Sequence, residues 1–168
     1  MADHLIDIVN EEDEVIGQEL KSRKSELGFI SRVVAVVVRD LEGRIVICKR
    51  SPNKSFDANK YDFAAVGHVD AGETYEHAAQ RELMEEAQIK SSVQMLDKLY
   101  EVNEDNGKIH KSFCVTFLVD TDETPHFNDE TVSFRKMSVQ EIEKEMQETP
   151  EKFCQGFIKD FNRVKNKL

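Results

Sequence analysis

The sequence predicts an α/β (α+β) fold in which a mixed β-sheet is sandwiched between α-helices. Strand-like and helix-like segments are mixed along the 168 residues, and no internal repeat is present. The segment 31–39, SRVVAVVVR, is almost continuously apolar and β-branched, which is typical of a central strand covered on both faces. A helical segment at 74–87, free of Gly and Pro, is flanked by strand-like segments on both sides.

The length and composition limit the classes of protein that fit. A chain of 168 residues suits one domain, with a β-hairpin extension at 1–30 and a core with C-terminal helices at 31–168. The formal net charge of −10 argues against non-specific binding to nucleic acids or to anionic membranes. No segment approaches the roughly 20 apolar residues of a membrane span, and the acidic N-terminus does not resemble a signal peptide.

The three cysteines are odd in number, far apart and set among apolar residues. They form no CxxC pair, so neither a disulfide framework nor a zinc site is predicted. A reducing compartment is the simplest setting for such cysteines, and we therefore expect a cytoplasmic protein.

The N-terminal extension predicts a hairpin followed by a short helix. Segments 4–9 and 14–20 have extended patterns, and the segment 10–13 between them has turn chemistry. One or two helical turns at 22–27 would end at Gly28. The hairpin can be interpreted as an integral extra sheet or, alternatively, as a dimerisation arm.

Three strands are predicted next, at 31–39, 44–50 and 61–69. The second strand ends in Lys49 and Arg50, and a cationic strand end in so acidic a chain is a candidate phosphate contact. The loop at 51–60 adds Lys54 and Lys60, for which ordinary solvated lysines are the preferred interpretation.

The C-terminal half predicts two further strands at 93–102 and 111–120, joined by a turn at Asn106-Gly107. A polar loop at 120–130 leads into a last strand at 131–137. Ser138 is expected to cap a helix that runs to about residue 147, with Glu141 at the capping-box position.

A final helix is predicted to begin at Pro150. Its apolar residues recur at helical spacing, and we interpret them as core or dimer packing rather than as a ligand site. They are Phe153, Phe157, Phe161 and Val164.

The helical segment at 74–87 has an unusual distribution of carboxylates. Glu82, Glu85 and Glu86 are spaced i, i+3 and i+4, so they share one side of the helix. Glu86 projects into the apolar stripe formed by Ala79, Leu83 and Ala87, which should face the core. Burying one of several crowded carboxylates is costly unless a cation compensates the charge, and Mg²⁺ prefers oxygen ligands of this kind.

The segment 67–89, GHVDAGETYEHAAQRELMEEAQI, resembles the Nudix box, GX5EX7REUXEEXGU, where U is a bulky aliphatic residue. The matching positions are Gly67, Glu73, Arg81, Glu82, Leu83, Glu85, Glu86 and Ile89. One position departs from the pattern, because Gln88 replaces the last Gly. If Gln88 adopts the left-handed conformation that ends the helix, the expected cost is about 1 kcal/mol.

The resemblance implies a single domain of the Nudix fold and a metal-dependent hydrolase. Such enzymes cleave a diphosphate linkage, by default in a nucleoside diphosphate derivative, by attack of an activated water at phosphorus with Mg²⁺ or, in its place, Mn²⁺. The implied metal ligands are Glu82, Glu85, Glu86 and the carbonyl oxygen of Gly67. Glu73 and Arg81 would orient these ligands. Family members are often homodimers, so the resemblance also allows a dimer here.

The general base is left open by the resemblance. Some family members use a box glutamate, here Glu85 or Glu86, and others use a glutamate on a loop after the box. Glu130 is the candidate on that later loop, and Asp129 is its rival.

Candidate substrate contacts lie near the box. Arg50 and Lys49 would meet phosphate groups, His68 follows the box Gly, and Tyr61 could stack on a base.

A narrower resemblance concerns the isopentenyl-diphosphate isomerase branch of the superfamily and hydrolases related to it. It rests on the segment 13–17, DEVIG, on the spacing to the first core strand and on Gly67-His68. The isomerases carry a Cys directly before that Gly-His pair and a Glu on a later strand. Here Val66 occupies the Cys position, and the segment 110–114, HKSFC, has no Glu. We therefore predict an isomerase-like Nudix protein that keeps the hydrolase box, with isomerase activity as an alternative.

A further alternative is a non-catalytic nucleotide-binding Nudix module. Such modules typically lose carboxylates of the box, and this chain has kept them all. Tolerance of Glu86→Gln without loss of ligand binding would distinguish the module from an enzyme.

Overall fold

A computed structural model describes residues 3–54, 56–105 and 108–168. Within these ranges nine strands belong to one mixed sheet with helices packed on it, which confirms the predicted fold class. The strands are β1 (Leu5–Val9), β2 (Val15–Leu20), β3 (Ile30–Arg39), β4 (Ile45–Arg50), β5 (Tyr61–Asp62), β6 (Ala65–His68), β7 (Gln94–Asp105), β8 (Lys108–Asp120) and β9 (Thr131–Met137). The α-helices are α1 (Lys24–Leu27), α2 (Tyr75–Ala87), α3 (Val139–Glu148) and α4 (Gln155–Val164). Short 3-10 turns cover Lys21–Arg23, Pro150–Lys152 and Lys165–Lys167.

Strand β3 lies at the centre of the sheet, as its β-branched sequence predicts. It pairs in parallel with β8 from Ile30–Lys111 to Arg39–Asp120. On its other side it pairs antiparallel with β6, where Val34 lies opposite Gly67. This pairing fixes the position of the first residue of the Nudix-like box.

Alternate residues of β3 face two separate apolar cores. Val34 and Val36 belong to the core on which α2 packs, and Ala35 and Val37 belong to the core on the opposite face. The buried residues of α2 are Ala78, Ala79, Leu83 and Ala87. The opposite core contains Ile142 of α3 together with Phe153, Phe157 and Phe161. The aromatic stripe near the C-terminus is therefore core packing, which confirms one of its two predicted interpretations.

The N-terminal hairpin belongs to the same sheet. β1 pairs with β2, and Val9 pairs with Ile30 at the start of β3. Ile6 is fully buried and forms an isolated bridge to Asp70, in the loop before α2. A 3-10 turn and α1 follow, and α1 ends at Gly28 in the left-handed conformation, with φ of +66°.

The predicted strand at 61–69 is wrong in one respect, because the structure divides it in two. β5 pairs with β4, whereas β6 pairs with β3. Phe63 and Ala64 lie between the two strands and are buried, with 3% and 2% exposed. The chain changes its partner strand at these residues, and a continuous apolar pattern does not indicate such a change.

The predicted start of the last helix at Pro150 is also wrong. Pro150–Lys152 forms only a 3-10 turn, and α4 begins at Gln155. Between them the amide of Cys154 donates a hydrogen bond to the carbonyl oxygen of Tyr61, at 2.9 Å. This contact with β5 holds the chain extended where a helix would otherwise continue.

Several smaller predictions can also be compared with the structure. Ser138 and Glu141 form the predicted capping box at the start of α3. The three cysteines are free and buried. The predicted turn at Asn106-Gly107 lies outside the described residues. No helix in the described part of the chain is long and apolar enough to cross a membrane.

Candidate active site

Helix α2 presents the carboxylates of the box and is capped at both ends. The hydroxyl oxygen of Thr74 accepts a hydrogen bond from the amide of His77, at 3.2 Å. At the other end Gln88 adopts the left-handed conformation, with φ of +56°, and its amide donates to the carbonyl oxygen of Met84. The helix therefore ends as it would with Gly, at a conformational cost of about 1 kcal/mol.

Strand β6 approaches α2 so closely at Gly67 that no side chain fits there. A Cβ atom placed on Gly67 would lie 2.0 Å from the carboxyl carbon of Glu82. The carboxylate of Glu82 thus occupies the space directly against the backbone of β6. Any larger residue at position 67 would displace it.

Arg81 connects the loop before α2 to the carboxylates on the helix. Its guanidinium donates to both oxygens of Glu73, at 3.1 and 2.9 Å, and to Oε1 of Glu82, at 2.7 Å. It also donates to the carbonyl oxygen of His68, at 3.0 Å, and Nη1 lies 3.6 Å from Oε2 of Glu85. One cation thereby fixes the relative positions of three carboxylates and β6.

Glu86 lies in unfavourable surroundings for a carboxylate. Its Oε2 accepts a hydrogen bond from the amide of Val66, at 3.2 Å. Burial, followed by the charge of Glu82, raises the pKa of Glu86 to about 8. Burial also raises the pKa of Glu82, against the opposing effect of Arg81. A positive charge placed between these groups would favour their ionised forms.

A cavity of about 360 Å³ brings most of the predicted site residues together. Its lining residues are His4, Lys21, Lys54, Val66, Gly67, His68, Asp70, Arg81, Glu82, Glu85, Glu86, Asn128 and Glu130. Glu130 reaches the cavity from the loop before β9, and its carboxylate contacts the ammonium group of Lys54. The cavity is therefore lined by carboxylates from α2 and from two loops, together with two lysines.

A family model described as the NUDIX domain matches residues 30–157, which is most of the chain. This protein belongs to the Nudix hydrolase family. A Nudix hydrolase of Deinococcus radiodurans is 34% identical over 133 residues, which cover 79% of this chain and 77% of that protein. The predicted family and the prediction of a Nudix-type enzyme are both confirmed.

Two further relatives concern diphosphate compounds. An isopentenyl-diphosphate Delta-isomerase of Pectobacterium atrosepticum is 27% identical over 159 residues, which cover 94% of this chain and 89% of that protein. A prenyl-diphosphate phosphatase of Methanosarcina mazei is 31% identical over 109 residues, which cover 65% of this chain and 64% of that protein.

A solved structure of a Deinococcus radiodurans protein has the same fold. It superposes with a TM-score of 0.80 at 28% sequence identity, covering 96% of this chain and 99% of that one. The similarity to this solved structure thus extends over almost the whole length of the chain.

Several cavity residues of this Nudix protein, among them Lys54, Lys21 and Asn128, were missed from the sequence or interpreted differently. Lys54 was expected to be an ordinary solvated lysine, but it lines the cavity and contacts Glu130. Lys21 reaches the cavity from the 3-10 turn after the hairpin, and no motif marks it in the sequence. Asn128 donates to the carbonyl oxygen of Glu85, at 3.2 Å, so it ties the later loop to α2.

Three predicted substrate contacts lie outside the lining of the main cavity. Arg50 instead forms an ion pair with the buried Asp62, at 3.2 Å. Tyr61 packs against Phe153 with 5.6 Å between ring centroids, and the guanidinium of Arg135 lies 4.3 Å from its ring.

Arg50 still lies close to the site. It lines a chamber of about 10 Å³ that adjoins the cavity, and Asp62, Glu86 and Glu130 line the same chamber. That volume is about the size of one water molecule. The third residue, Lys49, lines neither space.

His68 lines the cavity and has an unusual environment. Its Nε2 atom is buried and has no hydrogen-bond partner in the part of the chain that the structure describes. Burial, followed by the charges of Lys24 and Lys21, lowers the pKa of His68 well below its usual range. The imidazole is therefore neutral near pH 7.

The donor atoms fit a hard divalent cation, which Nudix enzymes generally use. Among residues 3–54, 56–105 and 108–168, no three acidic, histidine or cysteine side chains already converge on one point. Glu82 is turned toward Arg81, and Glu86 toward the amide of Val66. The chemistry nevertheless fits, because crowded carboxylates of raised pKa beside a backbone carbonyl are the oxygen donors that such a cation prefers.

Proposed function

We propose that this protein is a Mg²⁺-dependent hydrolase that cleaves the diphosphate linkage of a nucleoside diphosphate derivative, with Mn²⁺ able to replace Mg²⁺. The observation that supports this proposal is the cavity in which Glu82, Glu86 and Glu130 face Lys21 and Lys54. The carboxylates have too few positively charged neighbours to balance their charge, so they favour binding of a metal ion. The lysines beside them can bind phosphate oxygens.

The cation ligands would be Glu82, Glu85, Glu86 and the carbonyl oxygen of Gly67. A bound divalent cation supplies charge neutralisation to phosphate oxygens and lowers the pKa of a water molecule. Arg81 and Glu73 hold the carboxylates in place through the hydrogen bonds described above. Lys21 and Lys54 would bind the diphosphate, which an acidic chain otherwise repels.

The reaction is hydrolysis of a phosphoanhydride. A water oxygen forms a bond to phosphorus, and the bond from that phosphorus to the bridging oxygen breaks. We assign the proton released by the water to Glu130, because it lines the same cavity as the α2 carboxylates and is not needed as a ligand. The alternatives for this role are Glu85 and Glu86.

The group attached to the diphosphate would lie outside the cavity. Among the described lining residues the only rings are the imidazoles of His4 and His68. A nucleoside is the first choice for this group, and an isoprenoid chain is the second. The prenyl-diphosphate phosphatase among the relatives favours testing both. The free, buried cysteines fit a reducing compartment, so we place the activity in the cytoplasm.

The test is a hydrolysis screen with nucleoside diphosphate derivatives and isopentenyl diphosphate, with Mg²⁺ or with a chelator. We expect turnover that the chelator abolishes and that Glu86→Gln lowers by about 10² to 10³-fold. Glu76→Gln is the matched control, since Glu76 lies on the exposed side of the same helix and outside the cavity. This control should keep wild-type turnover.

Two outcomes would contradict the proposal. Migration of the double bond in isopentenyl diphosphate without phosphate release would identify an isomerase, the activity named for the Pectobacterium relative. Val66 argues against it, because a valine at the cavity wall has no acid–base chemistry. Binding of a nucleotide without turnover, unchanged by Glu86→Gln, would identify a binding module.

A further inference from the structure

The N-terminal hairpin is attached to the loop that carries Glu73. The amide of Ala71 donates to the carbonyl oxygen of Leu5, at 2.9 Å, and Ile6 bridges to Asp70. A hairpin that only extended the sheet would contact neighbouring strands. This one also contacts the connection between β6 and α2, on which the orientation of the box depends.

Asp7 makes the central contact between the hairpin and this loop. Its side chain is buried, with only 3% of the residue exposed. One carboxylate oxygen accepts a hydrogen bond from the amide of Gly72, at 3.1 Å, and the other accepts from Nε2 of Gln18, at 3.0 Å. Arg32 Nη1 lies 3.8 Å away. Gly72 has a φ of +77°, a conformation that residues other than Gly rarely adopt. Asp7 therefore stabilises a turn that depends on this glycine.

Gly72 is followed directly by Glu73, from which hydrogen bonds lead to the carboxylates on α2. Glu73 bonds to Asp70 twice, through its own amide at 3.0 Å and through its carboxylate at 3.2 Å. Glu73 then accepts two hydrogen bonds from Arg81, which donates to Glu82. Three residues, Gly72, Glu73 and Arg81, thus separate a buried side chain of the extension from a proposed cation ligand.

A second attachment holds the first residue of α2. The hydroxyl of Tyr75 donates to Oδ2 of Asp13, at 2.9 Å, and Asp13 is held by Arg32 Nε at 2.6 Å. Asp13 lies in the turn of the hairpin. The loop from Asp70 to Tyr75 is therefore fixed to the extension at both of its ends.

We propose that Asp7 is a positioning residue for the cation site, acting through Gly72 and the Glu73–Arg81 pair. The inference rests on the proposed function, because it assumes that a cation binds beside Glu82. Under this proposal the N-terminal extension helps to position the ligands of the active site. Asp7 itself touches neither cation nor substrate.

The test compares Asp7→Ala, Asp7→Asn and Asp40→Ala in the full chain, with Mn²⁺ binding measured by calorimetry without substrate. Asp7→Ala removes the acceptor for Gly72, and we expect roughly tenfold weaker Mn²⁺ binding. Asp7→Asn keeps an oxygen for Gly72, while the amide of Gln18 can turn to accept from the new NH₂ group. The Mn²⁺ affinity of Asp7→Asn should lie at least halfway, on a logarithmic scale, from that of Asp7→Ala to that of the wild type.

Asp40→Ala controls for a general loss of stability. Asp40 is equally buried, at 3% exposed, and its Oδ1 accepts backbone hydrogen bonds from Glu42 and Arg44 at 3.1 and 2.8 Å. It lies in the turn between β3 and β4 and does not line the cavity. We expect Asp40→Ala to lower the melting temperature but to leave Mn²⁺ affinity within twofold of wild type.

Hydrogen exchange provides a second measurement that needs no cation. Amides of residues 70–76 should exchange at least tenfold faster in Asp7→Ala than in wild type or in Asp40→Ala. Wild-type Mn²⁺ affinity in Asp7→Ala, or an equal loss in Asp40→Ala, would overturn this inference and leave the proposed function intact. Absence of Mn²⁺ binding to the wild type would overturn both.

Discussion

Two groups of charged residues lie at opposite ends of α2, and they shift the pKa of a carboxylate in opposite directions. Around Asp13, burial raises the pKa, but hydrogen bonds from Lys98, Arg32 and Tyr75 outweigh it and lower the pKa below its usual value. Around Glu86, burial and the charge of Glu82 raise the pKa to about 8. Both residues are carboxylic acids. Their pKa values shift in opposite directions because positively charged side chains contact Asp13, whereas Glu86 lies next to the negative charge of Glu82.

This difference separates structural carboxylates from candidate functional ones. The Asp13 group is neutralised by the protein's own side chains, so it can stabilise the fold without any ligand. The Glu86 group is short of positive charge, so it stabilises the fold only when a cation or a proton arrives. Asp160 on α4 is intermediate, because burial raises its pKa to about 6 although Arg163 opposes the shift.

The largest effect on stability should come from removing the charge of Asp13. Asp13→Asn removes the carboxylate that pairs with Lys98 and with Arg32 Nε and leaves Arg32 only Asp7, at 3.8 Å, so we expect the free energy of unfolding to fall by roughly 3 kcal/mol. Urea unfolding would measure the change. The matched control is Asp120→Asn, because Asp120 pairs with Arg39 but is 45% exposed. Its loss should be about 0–1 kcal/mol, and equal losses would contradict the distinction drawn above.

A smaller, pH-dependent effect is expected at Asp160. Its pKa in the folded protein is about 6, above its ordinary value of 3.8, so the folded state binds the proton more tightly than the unfolded state. The stability from this group is fully present below about pH 4 and is lost as the pH rises through 6, by roughly 2 kcal/mol. Asp160→Asn should remove this difference in urea unfolding between pH 4 and pH 7. If the free energy of unfolding of Asp160→Asn changed with pH as much as that of the wild type, another group would be responsible for the pH dependence.

A bound cation should provide Glu86 with the positive charge that Arg32 and Lys98 provide to Asp13. With Mg²⁺ at ten times its dissociation constant, the free energy of unfolding should rise by about 1.4 kcal/mol in the wild type. Thermal unfolding with Mg²⁺ and with a chelator measures this rise. Glu86→Gln should lose the rise, whereas Glu76→Gln should keep it. If neither the wild type nor the control responds to Mg²⁺, the group around Glu86 is not a cation site.

The smallest effect concerns the end of α2. Gln88→Gly relieves the left-handed conformation, and we expect a gain of about 1 kcal/mol or less in the free energy of unfolding. Mg²⁺ affinity should not change, because Gln88 does not line the cavity. A change in affinity would mean that the end of the helix also positions Glu85 and Glu86.

Local patterns predicted most of the fold. The apolar run of β3, the capping box at Ser138 and the amphipathic pattern of α2 depend on neighbours in sequence, so they could be recognised from the chain alone. The break within 61–69 and the delayed start of α4 depend on contacts between distant segments. Phe63 is buried between two strands that pair with different partners, and the amide of Cys154 bonds to Tyr61.

The candidate site divides in the same way. The carboxylates of the box could be named because their spacing is fixed by one helix and one loop. Lys21 and Asn128 could not, since they reach the cavity from separate parts of the fold. Arg50 and Tyr61 were chosen for their chemistry, but the structure provides them with nearer partners in Asp62 and Phe153. The roles of all these residues stay predictions.

The parallel pairing of β3 with β8 has a consequence for how the molecule forms. It joins residues that are 81 positions apart, such as Arg39 and Asp120. The two strands can pair only after the long loop between them has closed. Contacts of such long range slow folding, because the entropy of loop closure is lost before the contacts are gained. Helix α2 lies inside this loop and can form early from local interactions. We therefore expect the glutamates of α2 to reach helical register well before Glu130 arrives, so that the complete set of cavity carboxylates is among the last features of the molecule to form.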